Sequence, residues 1–250
     1  MGTILLLSLL SGLSTPLGAW TVLQVHALTP SILAFILALA SGVMVTVVGT
    51  ELMPVSIQTG GIVWFILGCF SGMVLMESLA RLWRPKNGSA SAPLLPHQLR
   101  HTGRSIAMAI AVHDFPEGMA IGAGEIVHAK LGVVIALAIA LHNMPEGMSI
   151  AAPLRASGMG RRAIMGLTLM ISLVTPLGTL TPLVLGHLAP FLNAYILALA
   201  SGAMIYVVAH DTGPESWYVQ KRGAVLGFIV GVGLMLGMAR MPAAWLAAII

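Results

Sequence analysis

Two near-copies of one hexapeptide, HDFPEG at residues 113–118 and HNMPEG at residues 142–147, stand 29 residues apart in the middle of this chain. Each copy lies inside a long apolar run, where an ionisable side chain is costly and therefore indicates a function. The chain has only eight Asp and Glu residues, and three of them belong to these motifs. The apolar runs predict membrane-spanning helices, and the motifs are the first candidates for a functional site within them.

The residue types and their spacing predict a metal site. In the first motif, helical geometry puts Glu117 one turn beyond His113 on the same face and rotates Asp114 by roughly 100° from His113. Pro116 removes a backbone donor, so the carbonyl four residues earlier can face an ion. The second motif repeats the arrangement with His142, Asn143 and Glu146. Two such helices facing each other would gather imidazole, carboxylate and amide groups, which suit a divalent metal of borderline softness.

One such motif alone is equally well explained as a helix kink with a hydrogen-bonded histidine. Two copies, both within apolar runs, favour the metal site over that structural alternative. The zinc-hydrolase pattern HExxH is not matched, because the group one turn after each histidine is a glutamate preceded by proline.

Composition places the whole chain in the membrane. Hydrophobic residues make up 58% of it and charged residues 8%, against roughly 25% charged in soluble proteins. We therefore expect a single transmembrane domain over residues 1–250, embedded in the lipid bilayer. The net charge of +4 arises from loops beside the membrane, so no nucleic-acid partner is expected.

Eight apolar stretches are long enough to span a bilayer, which predicts an all-α integral membrane protein. The predicted spans are Thr3–Gln24, Ser31–Leu52, Gly60–Leu82, Gly103–Gly124, Leu131–Ala152, Ala163–Gly186, Phe191–His210 and Gly223–Ala247. A loop over residues 84–102 separates spans three and four. If the helices alternate, ten of the twelve Lys and Arg fall on one side, and only Lys130 and Arg240 on the other. Basic loops stay in the cytoplasm, so we expect that loop to be cytoplasmic and both termini to lie outside.

An internal repeat relates the two ends of the chain. A shift of 160 residues superposes TPLG at 15–18 on 175–178 and ILALASG at 36–42 on 196–202, and 20 of the 41 positions from 14 to 54 are identical. A shift of 163 places FILG at 65–68 on FIVG at 228–231, so spans one to three repeat as spans six to eight. Because the copies are five spans apart, they cross the membrane in opposite directions. Such inverted repeats are typical of transporters that work by alternating access. Spans four and five, which carry the motifs, lie between the copies.

The paired motifs resemble those of the ZIP (Zrt/Irt-like) family of divalent-metal transporters, whose fourth and fifth transmembrane helices carry them, and the chain looks closest to the bacterial GufA-like branch. The resemblance implies a homodimer in the cytoplasmic (inner) membrane that takes metal up toward the cytosol. His113, Glu117, His142 and Glu146 would form the primary site. Asp114 and Asn143 would add oxygen ligands at a second or transient position.

One residue departs from the family pattern. Related proteins often have Glu-Pro where this chain has Thr175-Pro176, and that glutamate joins a second metal position. We therefore expect either a single metal or a second position rebuilt around Asp114. Four further residues are candidates for the metal pathway or a secondary site: Met44, His210 and Asp211 on the same resemblance, and Glu51 because it matches Asp211 in the internal repeat. Packing for Met44, and a helix cap beside a turn for the other three, are the structural alternatives.

The function expected from these observations is transport of a divalent transition metal, with Zn²⁺ first and Fe²⁺, Mn²⁺, Co²⁺ and Cd²⁺ as alternatives. The metal is the substrate, and no separate cofactor is expected. An intramembrane metal-dependent hydrolase using the same ligands, which would need an open metal position and a substrate cleft, and a passive metal channel are the two competing hypotheses.

Overall fold

The computed structural model describes residues 2–24, 29–83, 96–185 and 190–240, and this part of the chain contains helices and no strand. The α-helices are α1 Gly2–Gly12, α2 Ser14–Gln24, α3 Pro30–Val47, α4 Met53–Gly60, α5 Ile62–Trp83, α6 Pro96–Val127, α7 Ala129–Ala156, α8 Arg161–Ser172, α9 Val174–Leu185, α10 Pro190–Val207, α11 Gly213–Val219 and α12 Lys221–Ala239. Two π-helical turns, Val48–Leu52 and Val208–Thr212, join α3 to α4 and α10 to α11.

Seven segments are long and apolar enough to cross a membrane by length and composition. They are Gly2–Gln24, Pro30–Gly60, Ile62–Arg81, Ala129–Ala156, Arg161–Leu185, Phe191–Val219 and Lys221–Met238. They correspond to the predicted spans other than span four. Span four is α6, a helix of 32 residues that carries five charged residues and packs against α7 and α9. The fold is therefore that of an all-α integral membrane protein.

The structure corrects the predicted ends of spans two and seven. Span two continues to Gly60 and span seven to Val219, whereas Pro54 and Pro214 were expected to lie outside the helices. In each case a π-helical turn comes first and the proline then lies in the first turn of the next helix. A proline is tolerated there because the amides of the first turn have no helical partner. The helical span therefore continues past the proline.

The loop between spans three and four also differs from its predicted limits of 84–102. Residues 84–95 lie outside the described part, and residues 96–102 belong to the first turns of α6. Pro96 is the first residue of that helix, a position that suits its fixed φ. The polar residues that follow Pro96 look like a loop in the sequence because they extend the helix beyond the apolar segment.

Spans one and six break at equivalent places. Single non-helical residues, Leu13 and Leu173, separate α1 from α2 and α8 from α9. Pro16 and Pro176 follow three residues later, and a proline disfavours the helical bond to the residue four positions before it. These breaks and the two π-helical turns all recur at the 160-residue shift seen in the sequence.

The eight spans form two packed groups. Spans one, four, five and six, here the motif group, pack through α6 on α7, α6 on α9 and α2 on α7; spans two, three, seven and eight, the second group, pack through α3 on α12 and α5 on α10. Glycines make the closest of these contacts. A Cβ at Gly18 would lie 1.8 Å from the Met144 carbonyl oxygen, and one at Gly202 would lie 1.9 Å from that of Cys69.

Every described glycine with a neighbour from another span within 4 Å has that neighbour in its own group. The boundary between the groups is instead filled by apolar side chains of one cluster, among them Val43, Ile139 and Leu197. The close glycine contacts thus lie within each group, and apolar side chains pack across the boundary between them.

Candidate metal site

Helices α6 and α7 bring the two motifs together in the interior. The six polar residues are at most 3% exposed: His113, Asp114, Glu117, His142, Asn143 and Glu146. Burying so many ionisable groups in a membrane protein is costly unless they pair or bind a metal. Pro116 and Pro145 lie inside α6 and α7, which continue as helices through them.

The histidine of each motif pairs with the glutamate of the other. His113 Nε2 lies 3.1 Å from Glu146 Oε1, and His142 Nε2 lies 3.1 Å and 3.0 Å from the two carboxylate oxygens of Glu117. Both pairs bridge α6 and α7. Sequence spacing predicted which residues share a helix face, and the structure adds that the contacts run between the helices.

Asp114 joins one of these pairs. Its Oδ1 lies 3.8 Å from His113 Nε2, and ligand atoms of His113, Asp114 and Glu146 all lie within 4.8 Å of one another. Neither Asp114 oxygen accepts a hydrogen bond from any described residue. A buried carboxylate without a hydrogen bond is costly, so this three-residue cluster fits a cation. Thr175 is fully buried but is not part of the cluster.

The amide of Asn143 touches the same cluster. In one orientation its nitrogen donates to the Ser11 carbonyl at 3.3 Å. In the reversed orientation, which satisfies both amide atoms, the nitrogen donates to Glu146 Oε2 and to the Ile139 carbonyl, each at 3.3 Å. Asn143 therefore positions Glu146 and lies beside the three-residue cluster.

The glycine of each motif permits a close helix contact. A Cβ at Gly118 would lie 2.0 Å from the Thr175 carbonyl oxygen, and one at Gly147 would lie 1.8 Å from that of Thr15. Span six thus packs directly on the first motif and span one on the second. This explains the last residue of each hexapeptide, which sequence reasoning left without a role.

Two buried hydroxyls near the second motif were missed by sequence reasoning. Ser11 and Thr15 are fully buried, and their hydroxyls make no hydrogen bond to the described residues. The Ser11 carbonyl is one possible partner of the Asn143 amide. The internal repeat offered a signal for Thr15, because it is the counterpart of Thr175.

Met44 lies in an apolar cluster of buried side chains. It is fully buried with Met76, Ala203, Tyr206 and Val207. This environment agrees with the packing alternative for the thioether.

The other secondary candidates lie on the π-helical turns. Glu51 is half-buried, and His210 and Asp211 are exposed. His210 stacks on Tyr206 with ring centroids 4.3 Å apart, and the Tyr206 hydroxyl donates to Glu77 at 2.5 Å. His210 therefore belongs to a polar chain that leads to α5, and the structure does not bring it into the motif cluster.

Comparison with known proteins identifies the family of the chain. The sequence model of the family described as "ZIP Zinc transporter" matches residues 86–239, the part that contains both motifs. "Zinc transporter ZupT" of Chlorobium luteolum is 34% identical over 251 residues, covering 92% of this chain and 94% of the relative. "Zinc transporter ZTP29" of Arabidopsis thaliana is 31% identical over 249 residues, covering 92% and 90%.

A third relative, "Zinc transporter ZupT" of Escherichia fergusonii, is 31% identical over 246 residues, covering 94% of this chain and 95% of its own length. These matches extend over nearly the full length of each protein, so they concern the whole bundle and not the motifs alone. Membership of the GufA-like branch stays a prediction. The chain belongs to the ZIP family of zinc transporters, as its paired motifs predicted.

Proposed function

We propose that this chain transports a divalent transition metal ion across the membrane, with Zn²⁺ as the first candidate. The observation that carries the proposal is the pair of buried histidine–glutamate contacts between α6 and α7, with Asp114 beside one of them. Imidazole nitrogen and carboxylate oxygen together are typical zinc ligands. The relatives named above are zinc transporters by description.

The ligands rank the candidate ions only in part. Mg²⁺ and Ca²⁺ prefer shells made of oxygen alone, so two imidazoles argue against them. Fe²⁺, Mn²⁺, Co²⁺ and Cd²⁺ accept mixed nitrogen and oxygen ligands and are competitors of Zn²⁺ in this proposal.

A bound ion would replace the hydrogen bonds between the histidines and glutamates of α6 and α7. His113, Asp114 and Glu146 are close enough to share one ion, and His142 and Glu117 form a second pair on the same two helices. An ion that enters must break the hydrogen bonds of at least one pair and release the protons that its ligands hold. Asp114 supports a second metal position rebuilt without a carboxylate at Thr175, as an alternative to a single metal.

Alternating access is supported by the division into two groups. The motif residues belong to spans four and five, which are held to spans one and six through glycines. The boundary with the second group consists of apolar side chains, which can exchange neighbours at lower cost than backbones in direct contact. Movement of one group against the other would expose the site to either side in turn.

The proposal includes the membrane location, the orientation and the oligomeric state of the protein. Ten of the twelve basic residues fall on one side of an eight-span topology, which favours an orientation with both termini outside the cytoplasm. The inner membrane and the inward movement of metal rest on the family resemblance. Assembly as a homodimer rests on the family resemblance.

Burial weighs against an intramembrane hydrolase. A hydrolase needs an open coordination position and a cleft for its substrate, whereas the six motif side chains are at most 3% exposed. An ion can be enclosed at such a site, while a lipid or peptide cannot reach it in this conformation. We therefore propose that the chain is not an enzyme.

Uptake into proteoliposomes tests the proposal. Radioactive zinc uptake is compared between the wild type and the variants Glu117→Ala and Glu146→Ala, with manganese and iron as competitors. Glu125→Ala, on the same helix as Glu117 but outside the motifs, is the matched control. Saturable uptake that is lost in both motif variants and kept in the control is the expected result.

Three other outcomes would decide against the proposal. Uptake that survives in both motif variants would mean that the metal does not pass through this site. Uptake that is lost in both variants but does not saturate with zinc concentration in the wild type would favour a passive channel. Tight zinc binding without uptake would favour the enzyme hypothesis.

A further inference from the structure

A groove separate from the motif side chains runs along the outside of the motif group. Its volume is about 1140 Å³, and it lies between α6 and α8. Its upper end is the one next to the C-terminal end of α7 and the start of α6. It extends along α6 from Pro96 to Ala111, a rise of about 22 Å at helical spacing. That length is comparable with one leaflet of the hydrocarbon core, which is about 15 Å deep, plus the headgroup region.

The two ends of the groove differ in chemistry. Arg100 and Arg104 line the upper end, and both are exposed. Neither forms an ion pair with any residue in the ranges that the structure describes. Further down, the wall is apolar and includes Met108, Leu167 and Met170.

The groove opens toward the bilayer. Met170 is 72% exposed and Met108 is 38% exposed, so its side chains face lipid in a membrane protein. Its upper end lies at the end of the bundle where the basic residues cluster, which is the end expected to face the cytoplasm. There α8 begins after Gly160, which has no side chain to accept from the first-turn amides, and such a helix end favours an anion.

We propose that this groove binds one anionic phospholipid, with the phosphate between Arg100 and Arg104 and an acyl chain along the apolar wall. Two unpaired cations above an apolar trough match the charge and shape of such a lipid, and basic pockets between helices at the cytoplasmic surface bind anionic headgroups. A soluble phosphate compound would use the arginines but leave the trough empty. The groove therefore favours a lipid over a free anion.

Native mass spectrometry of the purified full chain tests this inference. The delipidated protein is titrated with phosphatidylglycerol or with phosphatidylcholine of the same acyl chains. We expect one phosphatidylglycerol to bind in preference to phosphatidylcholine. The double variant Arg100→Gln, Arg104→Gln should bind it about 10- to 30-fold more weakly, the effect expected for two basic side chains near a membrane surface.

Matched controls separate the groove from general surface charge. Arg222→Gln removes an exposed cation from the same predicted side of the membrane, outside the groove, and should leave binding unchanged. Leu167→Trp fills the trough and should weaken binding with both arginines present. Leu169→Trp adds the same bulk at a 45% exposed position that does not line the groove, and should not.

The possible results are distinct from those of the zinc experiment, because lipid binding is measured without metal. Equal binding of the two lipids, or undiminished binding in the double arginine variant, would overturn the inference. So would displacement of the lipid by inorganic phosphate alone, which would identify a simple anion site. Thermal unfolding of each variant shows whether a loss of binding reflects a loss of fold.

Discussion

Glu117 Oε2 lies 3.0 Å from His142 Nε2, which joins the carboxylate of one motif to the imidazole of the other. His113 and Glu146 repeat the relationship at 3.1 Å. Each helix therefore contributes one acid and one base to contacts that cross between α6 and α7. The two motifs depend on each other, and neither is a complete site alone.

Double-mutant cycles should reveal this cross-helix pairing. We expect a coupling of about 0.5–3 kcal/mol between His113→Ala and Glu146→Ala in the thermal unfolding of the metal-free protein, since contacting residues couple by that amount. The cycle between His113→Ala and Glu117→Ala should give a smaller value, because these residues share a helix and form no hydrogen bond with each other. A larger coupling within the helix than between the helices would contradict the observed pairing.

Zinc binding should weaken as the pH falls. Metal ligands must be deprotonated, and imidazole gains its second proton near neutral pH. Protonation of His113 and His142 therefore competes directly with the ion. We expect the Kd for zinc, measured by isothermal titration calorimetry, to rise about tenfold or more from about pH 7.5 to about pH 5.5. A Kd that stays constant over this range would mean that the histidines are not ligands.

Asp114 and Thr175 should differ in their importance for metal binding. Asp114→Ala removes a carboxylate from the three-residue cluster, so zinc affinity and uptake should both fall. Thr175→Val removes a buried hydroxyl that lies outside the cluster and has no hydrogen-bond partner among the described residues, so uptake should change by less than about threefold. Elemental analysis of the bound metal adds the stoichiometry. Two metals per chain, unchanged in Asp114→Ala, would reject a second position built around Asp114.

The motif glycines should be intolerant of a methyl group. A Cβ at Gly147 would lie 1.8 Å from the Thr15 carbonyl oxygen, and backbone cannot move aside as a side chain can. We expect Gly147→Ala to lower the free energy of unfolding by about 1–3 kcal/mol and to reduce zinc affinity by shifting Glu146. Gly166→Ala is the matched control, since nothing lies within 4 Å of its Cβ position. Equal melting temperatures for the two variants would refute the close contact.

Much of the fold and the site could be predicted because residue polarity alone marks both the membrane spans and the motifs. Membrane spans follow from long apolar runs, and the motifs stand out because His, Asp and Glu are costly in those runs. The 160-residue repeat placed Pro16 and Pro176 at matching positions, although the helix breaks beside them were not predicted.

The ends of two spans and the contacts between helices could not be predicted, because they depend on how separate parts of the chain pack together. Spans two and seven were predicted to end at Leu52 and His210 because the π-helical turns there, through which the helices continue, have no sequence signature. The partner of each glutamate could not be predicted either, since helical spacing describes one helix and the contacts join two. Met44 shows the same limit, because a thioether suits an apolar cluster as well as a metal pathway.

The contacts within the motif group differ in kind from those at the boundary with the second group. Inside the motif group, backbone lies against backbone with no room for adjustment, and this rigidity fixes how far apart the metal ligands can be. At the boundary with the second group, side chains such as Val43 and Leu197 can be exchanged one at a time. If the two groups move against each other as proposed, substitutions at the boundary should change the rate of transport, whereas substitutions at the glycine contacts should change which ion is bound.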